Sequence, residues 1–119
     1  MQKRVLVVDD HPAVALALKV AFRVDGRFTL IGSAQTAKAG LALPLHESDA
    51  LLLDLHLPDM EGPPLVEAFR RLEPRVPLIL HSAADETPEV VAVRDRVDAV
   101  VVKSHTDELL DVLARLTGA

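Results

Sequence analysis

The sequence contains no cysteine, tryptophan or tyrosine, and only three phenylalanines: Phe22, Phe28 and Phe69. Without cysteine there are no disulfides, thiolate metal sites or thiol nucleophiles, and a reducing, intracellular setting fits. With so few aromatics there is no stacking platform for bases or sugars, and the core must be aliphatic. A formal net charge of -5 and a pI near 5.4, with no basic stripe, argue against direct nucleic-acid binding by this chain. Long hydrophobic runs are missing as well. The only early apolar stretch, Ala13 to Phe22, is broken by Lys19 and follows Asp9 and Asp10. It is too short to span a membrane and has the wrong flank for a secretory signal, so the chain is expected to be soluble.

What is present is an aliphatic majority. Half of the 119 residues are hydrophobic, mostly Ala, Val and Leu, enough for one domain over residues 1–119 with a single core. Short apolar runs recur at Val5–Val8, Phe28–Ile31, Ala50–Leu53, Leu78–Leu80 and Ala99–Val102. Most are continuous rather than alternating, as in parallel strands covered on both faces.

Helix-like stretches lie between the runs, each long enough for a crossover. The first runs from Pro12 to about Arg23, and the second from Thr36 to His46, weakened by Pro44. The third starts at Pro63-Pro64 and runs to Leu72, and the fourth is capped by Thr87 ahead of Pro88 and Glu89. The fifth extends from about Thr106 to Leu116. The alternation predicts an α/β fold: a doubly wound, five-stranded parallel sheet in the flavodoxin-like order 2-1-3-4-5, with helices on both faces.

The chemistry follows the strands. Val8 is followed by Asp9-Asp10, Leu53 by Asp54, Leu80 by His81-Ser82 and Val102 by Lys103. In such sheets ligands bind outside the carboxyl ends of the strands. Three carboxylates, a hydroxyl and an ammonium then meet at one mouth. Two carboxylates about 4 Å apart repel by roughly 4 kcal/mol at an effective dielectric near 20, so the cluster needs compensating charge. Lys103 supplies one positive charge, and a divalent metal would supply two more. A few carboxylates plus water suit Mg²⁺, which shares such sites with phosphoryl groups. An Asp carboxylate is a competent nucleophile toward a phosphoryl donor, and the transfer needs mainly alignment and charge neutralisation.

Asp9-Asp10-His11-Pro12, the Asp54-Leu55-His56-Leu57-Pro58-Asp59-Met60-Glu61-Gly62 segment, Ser82-Ala83 and Lys103-Ser104 together resemble bacterial response-regulator receiver domains, in order and at family-like spacing. The resemblance covers essentially the whole chain. It implies that Asp54 is the phosphoacceptor and that Asp10 and Asp54 bind Mg²⁺ directly, with Mn²⁺ an acceptable substitute. Asp9 would act largely through metal-bound water, and the His56 backbone carbonyl would be a further ligand. Ser82 would hydrogen-bond the phosphoryl oxygens, Lys103 would pair with them, and Ala83 would leave them room. The implied donor is a sensor histidine kinase in the cytoplasm. The His11-Pro12 and Lys103-Ser104 pairs look like receivers joined to C-terminal helix-turn-helix DNA-binding domains, implying control of transcription. Such a domain is not an enzyme beyond slow self-phosphorylation and self-dephosphorylation.

The sequence departs from the family at three places. Val100 stands where an aromatic switch residue is usual, Arg96 where a helix-ending glycine is frequent, and Ser104 where proline is commoner. These bear on how phosphorylation is relayed rather than on its chemistry. His56 stands two residues after the acceptor, at the border of the path of attacking water. It is read as a modulator of phosphoryl lifetime or an inert rim residue.

The histidines as a set show no metal-ligand spacing, and Asp59, Glu61, Asp85 and Glu86 read as solvated loop charge. Leu16 and Val20, four apart on the outer face of the first helix, form an apolar pair suited to a homodimer contact, or are simply scattered surface hydrophobes. Val14, Ala17, Leu18, Ala21 and Phe22 are expected to face the sheet. Three other functions compete. An Asp-nucleophile phosphohydrolase would want a second Asp where His56 stands, and a flavin binder would want a phosphate loop and stacking aromatics. A non-phosphorylated interaction module of the same fold stays open.

Overall fold

In the computed structural model, which describes residues 1–119, the five apolar runs form one sheet. Its strands are β1 (Lys3–Val8), β2 (Phe28–Ala34), β3 (Ala50–Leu53), β4 (Leu78–Ser82) and β5 (Ala99–Val102). They lie in the order β2-β1-β3-β4-β5, and every neighbouring pair is parallel. The crossovers carry α1 (Pro12–Asp25), α2 (Ala37–Leu41), α3 (Pro63–Leu72), α4 (Pro88–Val93) and α5 (Thr106–Thr117).

Strand parity divides the core in two. Leu6, Val8, Leu51, Leu53, Leu78 and Leu80 meet Ala37 of α2, Leu65, Val66 and Phe69 of α3, and Val90 and Val93 of α4. On the other face Val5, Val7, Ala50, Leu52, Ile79 and Val101 meet Leu18 and Phe22 of α1 and Leu109 and Leu113 of α5. Each buried leucine or valine adds about 1.5–3 kcal/mol of transfer free energy, so the aliphatic runs supply the stability that aromatics do not. No helix is long and apolar enough to cross a membrane.

Local structure departs from the sequence expectations at four places. β2 continues to Ala34 instead of stopping at Ile31; Val5 pairs with Leu30 and Leu6 with Gly32, leaving Ile31 as the extra residue of a bulge. The second helix shrinks to Ala37–Leu41, followed by a 3-10 turn at Leu45–Glu47, because Pro44 prevents continuation. That short helix lies close to the sheet, and a Cβ on Gly40 would come within 2.8 Å of the Val8 side chain.

The fourth helix ends at Val93 and passes through a 3-10 turn at Arg94–Arg96. No non-glycine residue has positive φ, so the missing glycine is avoided by a different exit rather than replaced under strain. On α1 the buried arc centres on Leu18 and Phe22. Ala15 therefore packs against the core, while Ala17, expected on that face, is exposed.

Candidate functional site

The register of the central strands sets the site. Val8 is opposite Leu53, and the ladder runs one residue further, with the Asp54 N–H donating to the Val8 carbonyl at 2.9 Å. The Asp9 N–H donates to the Ala34 carbonyl at 2.9 Å. Both carboxylates thus leave the sheet side by side at its carboxyl end. Ser82 is the last residue of β4, opposite Val102, and its carbonyl accepts from the Lys103 N–H at 2.7 Å. Parallel pairing delivers the acids, the hydroxyl and the lysine to one mouth.

Asp9, Asp54 and Ser82 are buried there. Lys103 Nζ lies 2.7 Å from Asp9 Oδ2 and 3.0 Å from Asp54 Oδ2. Burial alone would push this ammonium's pKa down, but its contacts with the Asp9 and Asp54 carboxylates outweigh that and raise it. The other carboxylate oxygens are held by backbone. Asp9 Oδ1 accepts from the His11 N–H at 2.9 Å, and Asp54 Oδ1 from the His56 N–H at 3.0 Å. Ser82 Oγ accepts from the Ala84 N–H at 3.4 Å, a long bond that leaves the hydroxyl proton free for another acceptor.

The donor set fits a hard divalent cation. Asp10 Oδ1 is a buried oxygen without an aligned hydrogen-bond donor, and Asp9 Oδ2 has the Lys103 ammonium alone beside it. Asp9, Asp10, His11 and Asp54 each offer a ligand atom within 4.8 Å of the others. Carboxylate oxygens crowded this closely need a compensating ion.

Three side chains behave differently from their sequence reading. His11, set aside with the other histidines for want of ligand spacing, sits in the acidic cluster. Its contacts are to Asp9 and Asp10, which directly precede it, and only Asp54 reaches the cluster from another strand. Asp59, read as solvated charge, caps α2 from the loop after Asp54: its carboxylate accepts from the Ala37 N–H at 2.8 Å and the Lys38 N–H at 3.0 Å. Those backbone bonds, Lys38's first, hold its pKa below the usual carboxylate value. His81 points into the α1/α5 face at a position where strand parity calls for an apolar residue. Burial, aided by the charge of Lys103 and opposed by Asp9, lowers its pKa to about 4, so the ring is neutral near pH 7. Its Nδ1 has no hydrogen-bond partner, and it lines a cavity of about 80 Å³ with Lys103 and α1 residues.

The remaining residues lie at the rim. The His56 ring is half exposed, with Nδ1 3.1 Å from Glu61 Oε2. Val100, opposite Leu80, is partly buried against the α3/α4 core, so no ring is available to move there. Beside it, Arg70 of α3 donates to the carbonyls of Arg96 and Val76, each at 2.9 Å, and to Asp98 Oδ2 at 2.7 Å. The turn after α4 is thereby tied to α3.

The family model for the response regulator receiver domain matches residues 5–114. The transcriptional regulatory protein KdpE of Mycobacterium tuberculosis is 32% identical over 115 residues, covering 97% of this chain and 50% of that protein. The transcriptional regulatory protein YdfI of Bacillus subtilis is 33% identical over 86 residues, covering 70% of this chain and 39% of that protein. This chain thus spans half or less of the length of these curated relatives. Among solved structures, the non-phosphorylated receiver domain of the stress response regulator RcsB from Escherichia coli superposes with a TM-score of 0.89. That match is 21% identical and covers 99% of this chain and 95% of the other, which is a likeness of fold. The signal receiver domain of the response regulator NarL from Mycobacterium tuberculosis has a TM-score of 0.77 at 28% identity, covering 94% and 96% of the two chains.

Proposed function

Since this chain belongs to the response regulator receiver domain family, a family of signalling phosphoacceptors rather than of enzymes, we propose that residues 1–119 form a phosphoacceptor switch centred on Asp54. The observation that carries this reading is the pairing of Asp54, at the carboxyl end of β3, with Lys103 at 3.0 Å inside a cluster of carboxylates. One Asp54 oxygen attacks the phosphorus of a phosphohistidine or an acyl phosphate. A carboxylate O–P bond forms, the donor's N–P or O–P bond breaks, and its electron pair leaves with the imidazole or the acid. Lys103 and the Ser82 hydroxyl then bind the transferred oxygens, both poised at strand ends with little to reorganise. Asp10 and Asp54 would hold Mg²⁺, or Mn²⁺ in its place, with Asp9 and the His56 carbonyl as the further residues that would support it. The ion supplies neutralisation of charge on the phosphoryl group.

Intact mass after incubation with acetyl phosphate tests the assignment. A phosphoryl mass shift is expected with Mg²⁺, abolished in Asp54→Ala and suppressed in Asp10→Ala. A shift that survives both substitutions, or persists undiminished in a chelator, overturns it.

The partners follow from the same reading: a sensor histidine kinase as donor, in the cytoplasm, and a C-terminal DNA-binding domain as output, with this domain not touching DNA itself. The curated relatives are transcriptional regulators about twice as long as the matched segment or longer, which supports such an output. The reading also includes a homodimer through α1. Leu16 and Val20 are 66% and 58% exposed, and Val24, four residues on, extends the stripe at 84%.

A further inference from the structure

We infer that the cavity between α1 and α5 binds one small neutral molecule with a hydroxyl head and a short hydrocarbon body, about the size of a two- or three-carbon alcohol, and that Lys103 carries its occupancy to the Asp54 carboxylate. Neither part depends on Asp54 being a phosphoacceptor, so a failed phosphorylation test would leave both standing.

The cavity holds about 80 Å³ and has both apolar and polar walls. Val14 and Leu18 of α1 and Leu109 of α5 supply hydrocarbon. Ala17 and Ala21, one turn apart on α1, leave open the space that larger side chains would close. Such a pair of small residues is by itself ordinary helix surface. The independent sign of a ligand is His81, which follows Ile79 on the α1/α5 face of β4, lines the cavity and is only 4% exposed. Its Nδ1 is shut off from solvent and has no hydrogen-bond partner, whereas buried polar groups nearly always have one. Ala17 and Thr106 are exposed, so the cavity opens to solvent between the two helices.

Volume and chemistry select the occupant. An apolar cavity of about 150 Å³ accepts benzene, with six heavy atoms, so about 80 Å³ takes roughly three or four. Water alone would satisfy the imidazole but wet the hydrocarbon walls, and a pure hydrocarbon would do the reverse. A hydroxyl both donates and accepts, so it suits either tautomer of the neutral ring. An anion is disfavoured. Lys103 also lines the cavity, but its single ammonium already faces two carboxylates, Asp9 at 2.7 Å and Asp54 at 3.0 Å, which leaves the neighbourhood net negative. Those same contacts make Lys103 the link: a molecule packed against this residue bears on the ammonium that holds Asp54.

Titration of the full chain with 1-propanol, followed by NMR of methyl and imidazole resonances, tests both parts. The methyl shifts of Val14, Leu18 and Leu109 and the His81 ring-nitrogen shift should saturate together, at about millimolar propanol for so few atoms. Nuclear Overhauser contacts should join the propanol to Leu18 and Leu109. Sodium acetate should give no saturating shift at these residues. Ala21→Leu, which fills the space and leaves His81 in place, should abolish saturation, and His81→Leu should weaken it about tenfold or more. Leu16→Ala, on the outer face of α1, should leave the midpoint unchanged. The Lys103 ε-methylene resonances should move with the same midpoint as the cavity methyls. Shifts that only grow in proportion to propanol, as for a cavity holding water alone, overturn the site. So does saturation that survives Ala21→Leu, or an equal response to acetate. If a variant does not fold, the wild-type titrations and Overhauser contacts decide the matter. Saturation with Lys103 unmoved overturns the relay.

Discussion

Replacing Lys103 with methionine keeps the aliphatic stem and removes the only ammonium in contact with the two buried carboxylates. Nζ is 2.7 Å from Asp9 and 3.0 Å from Asp54, and the side chain is only 22% exposed. Removing one partner of a fully buried ion pair costs about 3–5 kcal/mol, and exposed pairs contribute under about 1. The residual exposure here puts Lys103→Met at about 2 kcal/mol, a fall of about 1 M in the urea midpoint for an m-value near 2 kcal/mol/M.

Two further results should follow from the same geometry. Lys103 has its pKa raised from 10.5, so its contribution is fully present below pH 10.5 and is lost as pH rises through the raised value. The wild-type advantage should therefore persist from pH 7 to 10 and decline only as pH rises beyond 10.5 through the raised value. A bound divalent ion replaces the missing charge and meets less repulsion in the variant, so saturating Mg²⁺ should narrow the deficit. Urea unfolding in EDTA and in excess Mg²⁺ is the assay. Equal midpoints in EDTA would show that the ion pairs carry no stability, and an undiminished deficit in Mg²⁺ would show that charge is not the reason.

His81→Leu should remove a buried imidazole with an unpartnered nitrogen and raise stability at pH 7 by about 1 kcal/mol or more. Because the ring's pKa falls from 6.5 to about 4 on folding, wild type should lose up to roughly 3 kcal/mol as pH drops from above 6.5 to 4. The variant should lack that component when urea midpoints are compared at pH 7 and 4.5. Arg70→Met should lower stability by about 2 kcal/mol through three lost charge-assisted bonds, with faster amide exchange at Leu78 and Asp98; unchanged exchange there would count against the clamp. The double substitution Leu16→Glu, Val20→Lys should leave the fold intact and lower any dimer fraction in sedimentation of the beryllofluoride-treated protein. A dimer that persists unchanged places the contact elsewhere.

The sequence by itself determined the architecture and the site's main members. Continuous aliphatic runs such as Ala50–Leu53 are stable only when both faces are covered, and that condition dictates a parallel sheet with helices on each side. Strand ends are marked by the charged residues that follow them, so Asp9, Asp10, Asp54, Ser82 and Lys103 were visible as one group once the sheet order was assumed. Tertiary structure decided what depends on neighbours distant in the chain. The role of Asp59 is set by the free N–H groups of α2, more than twenty residues away. His81 is neutral because of what surrounds it, and a one-residue shift in strand parity would have put it on the other face. Asp54 joins Asp9 and Asp10 only because β1 and β3 are adjacent, a fact held in hydrogen bonds between strands rather than in the order of residues.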